Sequence, residues 1–228
     1  MKLYWSWFIN PQKVRLALNE LGLAHEIVQL RLLQGEQRRP EFLALNPNGK
    51  APVLQDGNMT LWESNAILVY LGEKEARLWP TNTTSRGAAL RWLFFESCHL
   101  ADPIGTLWFS DFVAENAHLP HEEKAVAVQN RARLFGEAKK AEARAQLDRF
   151  LPVVEHHLEH HPWMQGERFG LVDCCYGPQF DALMLSQTPL SAYPRVTDYV
   201  NRIRARPAWS RCEFHSWPEE GAAASPRS

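Results

Sequence analysis

Apolar and polar positions change period several times along the first 75 residues, and each change marks an element. Lys2 to Ser6 suits a short strand, and Asn10-Pro11 then offers an N-cap followed by proline at the first helical position. Val14, Ala17, Leu18 and Leu21 recur at i, i+3, i+4 and i+7, the stripe of a helix packed on a sheet, and Gly22 supplies its stop. His25 to Leu32 reads as a second strand, Gln34 to Arg39 is polar, and Pro40-Glu41-Phe42-Leu43 starts a short helix. Ala51 to Gln55 and Met59 to Trp62 are strands joined through Asp56-Gly57, residues that tolerate the positive φ of a tight hairpin. Ser64 is placed to cap a helix whose Ile67, Leu68 and Leu71 face inward. The order βαβ then ββα calls for one sheet layered with helices.

Strand alternation ends there. Trp79 to Ser85, with Pro80 and a Thr/Asn run, reads as a linker, and the patterns near 86–116 and 122–160 are helical. Two more helical stretches are expected near 171–187 and 193–206. Phe169-Gly170-Leu171-Val172-Asp173 has the form of a capping box in which Asp173 reaches back to the Gly170 N–H. The predicted organisation is an α/β domain over 1–78, a linker over 79–87, an all-α helical bundle over 88–218 and a disordered tail over 219–228.

Composition removes several function classes. With 25 Lys+Arg against 26 Asp+Glu there is no charge surplus to drive binding to nucleic acid or an anionic membrane. The opening residues lack signal-peptide features, and no apolar run approaches the roughly 20 residues of a membrane span. Cys98, Cys174, Cys175 and Cys212 show no CxxC spacing or disulfide framework, so a reduced, cytoplasmic setting is expected.

The most informative stretch is Asn46-Pro47-Asn48-Gly49-Lys50-Ala51-Pro52-Val53-Leu54, followed after the hairpin by Glu63-Ser64-Asn65-Ala66-Ile67. With the capping box and Arg206-Pro207-Ala208-Trp209, it resembles the glutathione transferase superfamily over nearly the whole chain. The resemblance implies a thioredoxin-like N-terminal domain, a helical C-terminal domain, a homodimer, and glutathione as co-substrate with no bound cofactor. It implies that Pro52 is cis and turns the Val53 backbone toward the cysteinyl unit of glutathione. It assigns Glu63 to the γ-glutamyl ammonium, Ser64 and helix-start N–H groups to the neighbouring carboxylate, and Lys50 with Gln37 to the glycyl carboxylate. Opposite charges on one carbon need opposite partners side by side, which is what a Glu-Ser pair at a helix start provides.

Activity in this superfamily rests on lowering the thiol pKa of bound glutathione. Aligned on Val14 to Leu18, the position of the theta- and zeta-class serine holds Phe8, and Asn10 falls where nu-like bacterial transferases carry asparagine and beta-class ones cysteine. Asn10 is therefore the leading catalytic candidate and Ser6 the second. The resemblance implies attack of glutathione thiolate on an apolar electrophile or organic peroxide, or reduction of a disulfide. The alternative is a glutathione-binding carrier or protein-interaction module with little turnover. Trp7, Phe8, Trp108, Phe109 and Phe112 are candidates for the apolar substrate pocket. The string His156-His157-Leu158-Glu159-His160 places two histidines at i, i+4 without an evident third ligand, so no metal is expected. Cys174-Cys175 reads as core.

Overall fold

The computed structural model describes residues 1–113, 121–186 and 188–212, with the side chains of 112, 113, 121–123 and 131–133 outside that description. The tail expected over 219–228 therefore lies outside the described residues. The first half is β1 (Lys2–Trp5), α1 (Ile9–Leu21), β2 (Glu26–Gln29), the short α2 (Pro40–Leu43), β3 (Val53–Asp56), β4 (Met59–Trp62) and α3 (Ser64–Glu75). The sheet order is β2-β1-β3-β4, with β1 and β2 parallel and the other pairs antiparallel. Leu3 and Leu54 face each other across β1 and β3, both fully buried beneath α1 and α3.

The second half is helical: α4 (Thr83–Phe95), α5 (Ala101–Leu107), α6 (His121–Leu134), α7 (Glu137–His160), α8 (Leu171–Leu185), α9 (Pro194–Arg204) and α10 (Pro207–Ser210). Two wide π-type turns, Glu96–Leu100 and Trp108–Val113, continue α4 and α5, and turns of this kind often mark functional segments. Residues 83–87, expected in the linker, are already helical because the Asn82 side chain accepts from the Ser85 N–H at 2.8 Å and starts α4 there. α8 is buried on every face from Leu171 to Leu183, so it is the central element against which α1, α3, α5 and α9 pack. Its start has the expected box: Asp173 Oδ2 accepts from the Gly170 N–H at 2.8 Å, while Oδ1 accepts from the Met164 N–H and the Tyr199 hydroxyl. Where α3 meets this bundle, a Cβ on Gly72 would lie 2.6 Å from Trp79 Cβ and 2.8 Å from Leu171 Cδ1, so glycine sets the approach. Among the described residues no helix is long and apolar enough to cross a membrane.

Two helix starts differ from the sequence expectation. α1 begins two residues earlier, with Phe8 at the N-cap and no side-chain cap, so Asn10 and Pro11 fall inside its first turn. Proline is tolerated there because the first N–H groups of a helix have no intrahelical partner anyway. α3 is led by Glu63 rather than capped by Ser64, and Glu63 stands at φ 71°, ψ 111°.

Candidate functional site

A cavity of about 460 Å³ opens between the first half and α5 and α6. Its floor is the start of α1, with Phe8, Ile9, Asn10 and Pro11, and one side is the 49–51 turn with Gln37. Asn46 builds that turn: its side chain donates to the Lys50 carbonyl at 2.6 Å and accepts from the Asn48 N–H at 3.0 Å. Gly49 takes φ 62° there, with Gln37 O 3.4 Å from where a Cβ would stand. The opposite wall comes from α5 and the turn after it. Phe8 packs edge-on against Trp108 at 5.7 Å and stacks on Phe109 at 6.2 Å.

Behind the floor lies a buried polar network. Lys13 and Glu96 form an ion pair at 2.8 Å with both side chains almost fully buried. Burial opposes the lysine charge, but Cys175 and Glu96 beside it outweigh that, and its pKa is raised. Glu96 also accepts from Asn65 Nδ2 at 2.9 Å and from Gln179 Nε2. Gln179 Nε2 reaches Asn10 Oδ1 at 3.5 Å as well. The network thus joins the first turn of α1 to the first turn of α3 through α8. Burial, reinforced by Glu96, pushes the Cys175 thiol well above its ordinary range, and burial does the same to Cys174. Both are neutral core groups rather than redox centres.

Of the predicted site residues, Asn10, Gln37, Lys50, Phe8, Trp108 and Phe109 are brought to this one cavity. Asn10 is no N-cap, so its amide is not consumed by the helix start. Ser6 is not brought to the cavity: it is fully buried, and its hydroxyl has no partner among the described residues. Trp7 is buried behind the wall, stacked on Phe8 at 4.3 Å, rather than lining it. The Phe112 side chain lies outside the described residues. The Ala51–Pro52 bond is cis, and Pro52 is buried. Val53 is fully buried and lies inside the sheet opposite Tyr4 and Trp62, whereas Ala51, before the proline, lines the cavity. Glu63 is exposed and Ser64 nearly buried at the start of α3, outside the lining of this cavity.

Sequence reading missed Gln179 and Thr106, which also line the cavity. The signal for Gln179 was present: a glutamine in the middle of a largely apolar helix must have a partner or a purpose. Thr106 carried no such mark.

Residues 1–73 match the glutathione S-transferase N-terminal domain, and residues 109–207 match the glutathione S-transferase C-terminal domain. The chain is 34% identical to glutathione S-transferase 3 of Zea mays, over 92% of each chain. It is 30% identical to the disulfide-bond oxidoreductase YfcG of Escherichia coli K12, over 90% of this chain and 91% of that one. A solved glutathione transferase from Burkholderia graminis, with two glutathione molecules bound per protein subunit, has a TM-score of 0.75 to it at 28% identity. That match covers 92% of this chain and 86% of the other. The chain belongs to the glutathione S-transferase family, with a thioredoxin-like first half and a helical second half.

Proposed function

We propose that this protein binds glutathione with its thiol at Asn10 and uses the thiolate as nucleophile on an acceptor held in the cavity. The observation that carries the reading is that Gln37, Thr106 and Gln179 each keep a buried polar atom without a partner among the described residues, and all three line that cavity. Unpaired buried polar atoms gathered at one cavity point to a ligand. Asn10 Oδ1 accepts from Gln179, which leaves its Nδ2–H2 to donate to sulfur. The positive end of the 13-residue α1 adds to that field. Glu63 faces the γ-glutamyl ammonium, Ser64 and the start of α3 take its carboxylate, Ala51 rather than Val53 pairs with the cysteinyl backbone, and Lys50 with Gln37 takes the glycyl end.

In conjugation the sulfur forms a bond to the electrophilic carbon as the leaving group departs with its electron pair. On a hydroperoxide the sulfur takes the terminal oxygen and releases alcohol; a second glutathione then gives the disulfide and water. Disulfide reduction is a second reading: the thiolate attacks one sulfur of the acceptor and expels the other as thiolate. It is favoured by the name of the Escherichia coli relative and by the pair of glutathiones in the Burkholderia graminis structure. The proposal is completed by a cytoplasmic homodimer, which would cover the apolar surface of Trp62 and Phe94, exposed at 40% and 66%.

Calorimetric titration of glutathione into wild type and Glu63→Ala tests the reading, with the same samples assayed on a chlorodinitroarene, an organic hydroperoxide and a small disulfide. Saturable binding lost in the variant, with turnover on one acceptor, is expected. Binding without turnover on all three would favour a carrier, and no binding would remove the glutathione reading.

A further inference from the structure

The far end of α7 carries a second cluster of reactive side chains, unused by the glutathione site. On the sequence, His156 and His160 stand at i, i+4 with no evident third ligand, and no metal is expected there; in the structure Glu159 lies on the same face. One ligand atom from each of His156, Glu159 and His160 lies within 4.8 Å of the other two. His156 Nδ1 is 3.6 Å from Glu159 Oε2, and the two imidazole rings meet edge to face at 4.9 Å. Around a tetrahedral zinc the donor atoms stand roughly 3.3 Å apart. All three side chains are exposed and sit on helix surface, so small rotations close that difference without moving the backbone.

Neighbouring groups fix which atoms are available. Arg195 Nη2 donates to Glu159 Oε1 at 3.1 Å, which holds the carboxylate on α7 and leaves Oε2 for a cation. Arg195 is also held by Glu155 at 3.4 Å, so two carboxylates against one guanidinium leave one negative charge beside the cluster. His157 and His161 border the same cavity, but one ring nitrogen of each is engaged, His157 Nε2 with the Trp163 carbonyl at 3.2 Å and His161 Nδ1 with Glu167 at 3.1 Å. His156 and His160 line a cavity of about 380 Å³ that reaches Trp92 and Phe95, with room for water to complete a coordination shell.

We propose that His156, Glu159 and His160 form a surface site for a borderline-soft divalent cation, zinc or copper, with one position open to solvent. Two imidazoles and one carboxylate suit those metals better than calcium or magnesium, which prefer all-oxygen shells. The site is separate from the glutathione cavity, so it stands or falls independently of the proposed activity.

The test is calorimetric titration of ZnCl₂ into the full chain without an affinity tag, in the absence of glutathione. Wild type is compared with His156→Ala, His160→Ala and His161→Ala, each checked for native circular dichroism. One saturable site is expected in wild type, weakened at least about tenfold in the first two variants and unchanged in the third. Cu²⁺ used as a probe binds more tightly than zinc and shows two nitrogen ligands by electron paramagnetic resonance. Absence of a saturable site overturns the proposal. So does a site kept by both His156→Ala and His160→Ala, as zinc on the exposed Cys98 thiol would give.

Discussion

Asn10 faces the cavity with one end of its amide engaged, and that fixes what the other end can do. A hydrogen bond to a charged acceptor contributes about 1.5–3 kcal/mol, or about one to two units of thiol pKa. Asn10→Ala should therefore raise the pKa of enzyme-bound glutathione by about one to two units, read from thiolate absorbance against pH. Gln179→Leu should raise it by less, because Asn10 stays but loses its orienting partner. A Gln179 variant that lowers stability while leaving the thiol pKa unmoved would reduce that residue to a packing role. Glu63 offers a second residue-scale prediction. Its φ of 71° and ψ of 111° lie in a region that costs a side chain about 1–3 kcal/mol. Glu63→Gly should thus be more stable to urea than Glu63→Ala by about 1–2 kcal/mol, while both lose glutathione affinity. Equal stabilities would mean that the backbone relaxes once the glutamate is gone. The sequence marked Glu63 by its neighbours but could not show this conformation, because strain at one residue is imposed by the strand and helix that flank it. Nor could it show which backbone borders the cavity: alternation cannot tell whether Ala51 or Val53 ends up in the sheet, and β3 pairs from Val53 on while Ala51 lines the cavity.

At the scale of elements, the start of α8 joins sequence to stability most directly. The Asp173 carboxyl is fully buried, and burial pushes its pKa from 3.8 up to about 6, although the Gly170 and Met164 N–H groups and the Tyr199 hydroxyl work the other way. Because the folded value lies above the unfolded one, the folded chain holds the proton longer as pH rises. Stability from this group is complete below about pH 4 and declines up to about pH 6, by about 3 kcal/mol in all. Asp173→Asn should lack that decline, so the difference between wild type and variant in urea unfolding should change between pH 4 and 7 and be flat above. A difference independent of pH would mean that the hydrogen bonds to the carboxylate balance burial, and a change in the opposite sense that they outweigh it. This box was legible because its residues are contiguous and its hydrogen bonds are local. The α1 start was not: the choice between Phe8 and Asn10 as N-cap depends on Trp5 Nε1 and the Trp7 carbonyl, both held by the Gln12 side chain, and on the aromatic wall across the cavity. Nor could local pattern show that α4 and α5 are continued by π-type turns, which place Glu96 in the buried network and Trp108 on the cavity.

For the whole molecule, the two halves share one core. A single apolar cluster runs from Leu3 and Leu54 of the sheet through Val14 and Leu18 of α1 to Leu171 and Phe180 of α8 and Ile203 of α9. Cross-domain polar ties add to it: Glu20 with Arg206 at 2.5 Å, Lys13 with Glu96, and the Leu171 N–H on the Leu78 carbonyl. A boundary drawn near residue 78 thus divides the chain by secondary structure while the packing runs straight through it. The sheet half exposed without α8 would leave the inner face of α1 bare, and α8 without α1 would lose the partner that covers one of its sides. Unfolding should therefore be one cooperative transition, with far-ultraviolet circular dichroism and tryptophan fluorescence giving the same urea midpoint. Nine tryptophans spread over both halves make fluorescence a fair reporter of each. Saturating glutathione, which the proposed site holds mainly through the first half, should move both probes together, by about 2.7 kcal/mol at one hundred times its dissociation constant. If the helical signal instead persisted beyond the fluorescence transition, or if glutathione shifted one probe alone, the shared core would be an adhesion of two separately stable units. The Lys13–Glu96 pair would then be the place to look for the weak joint, since it is the buried charge pair that links α1 to the end of α4.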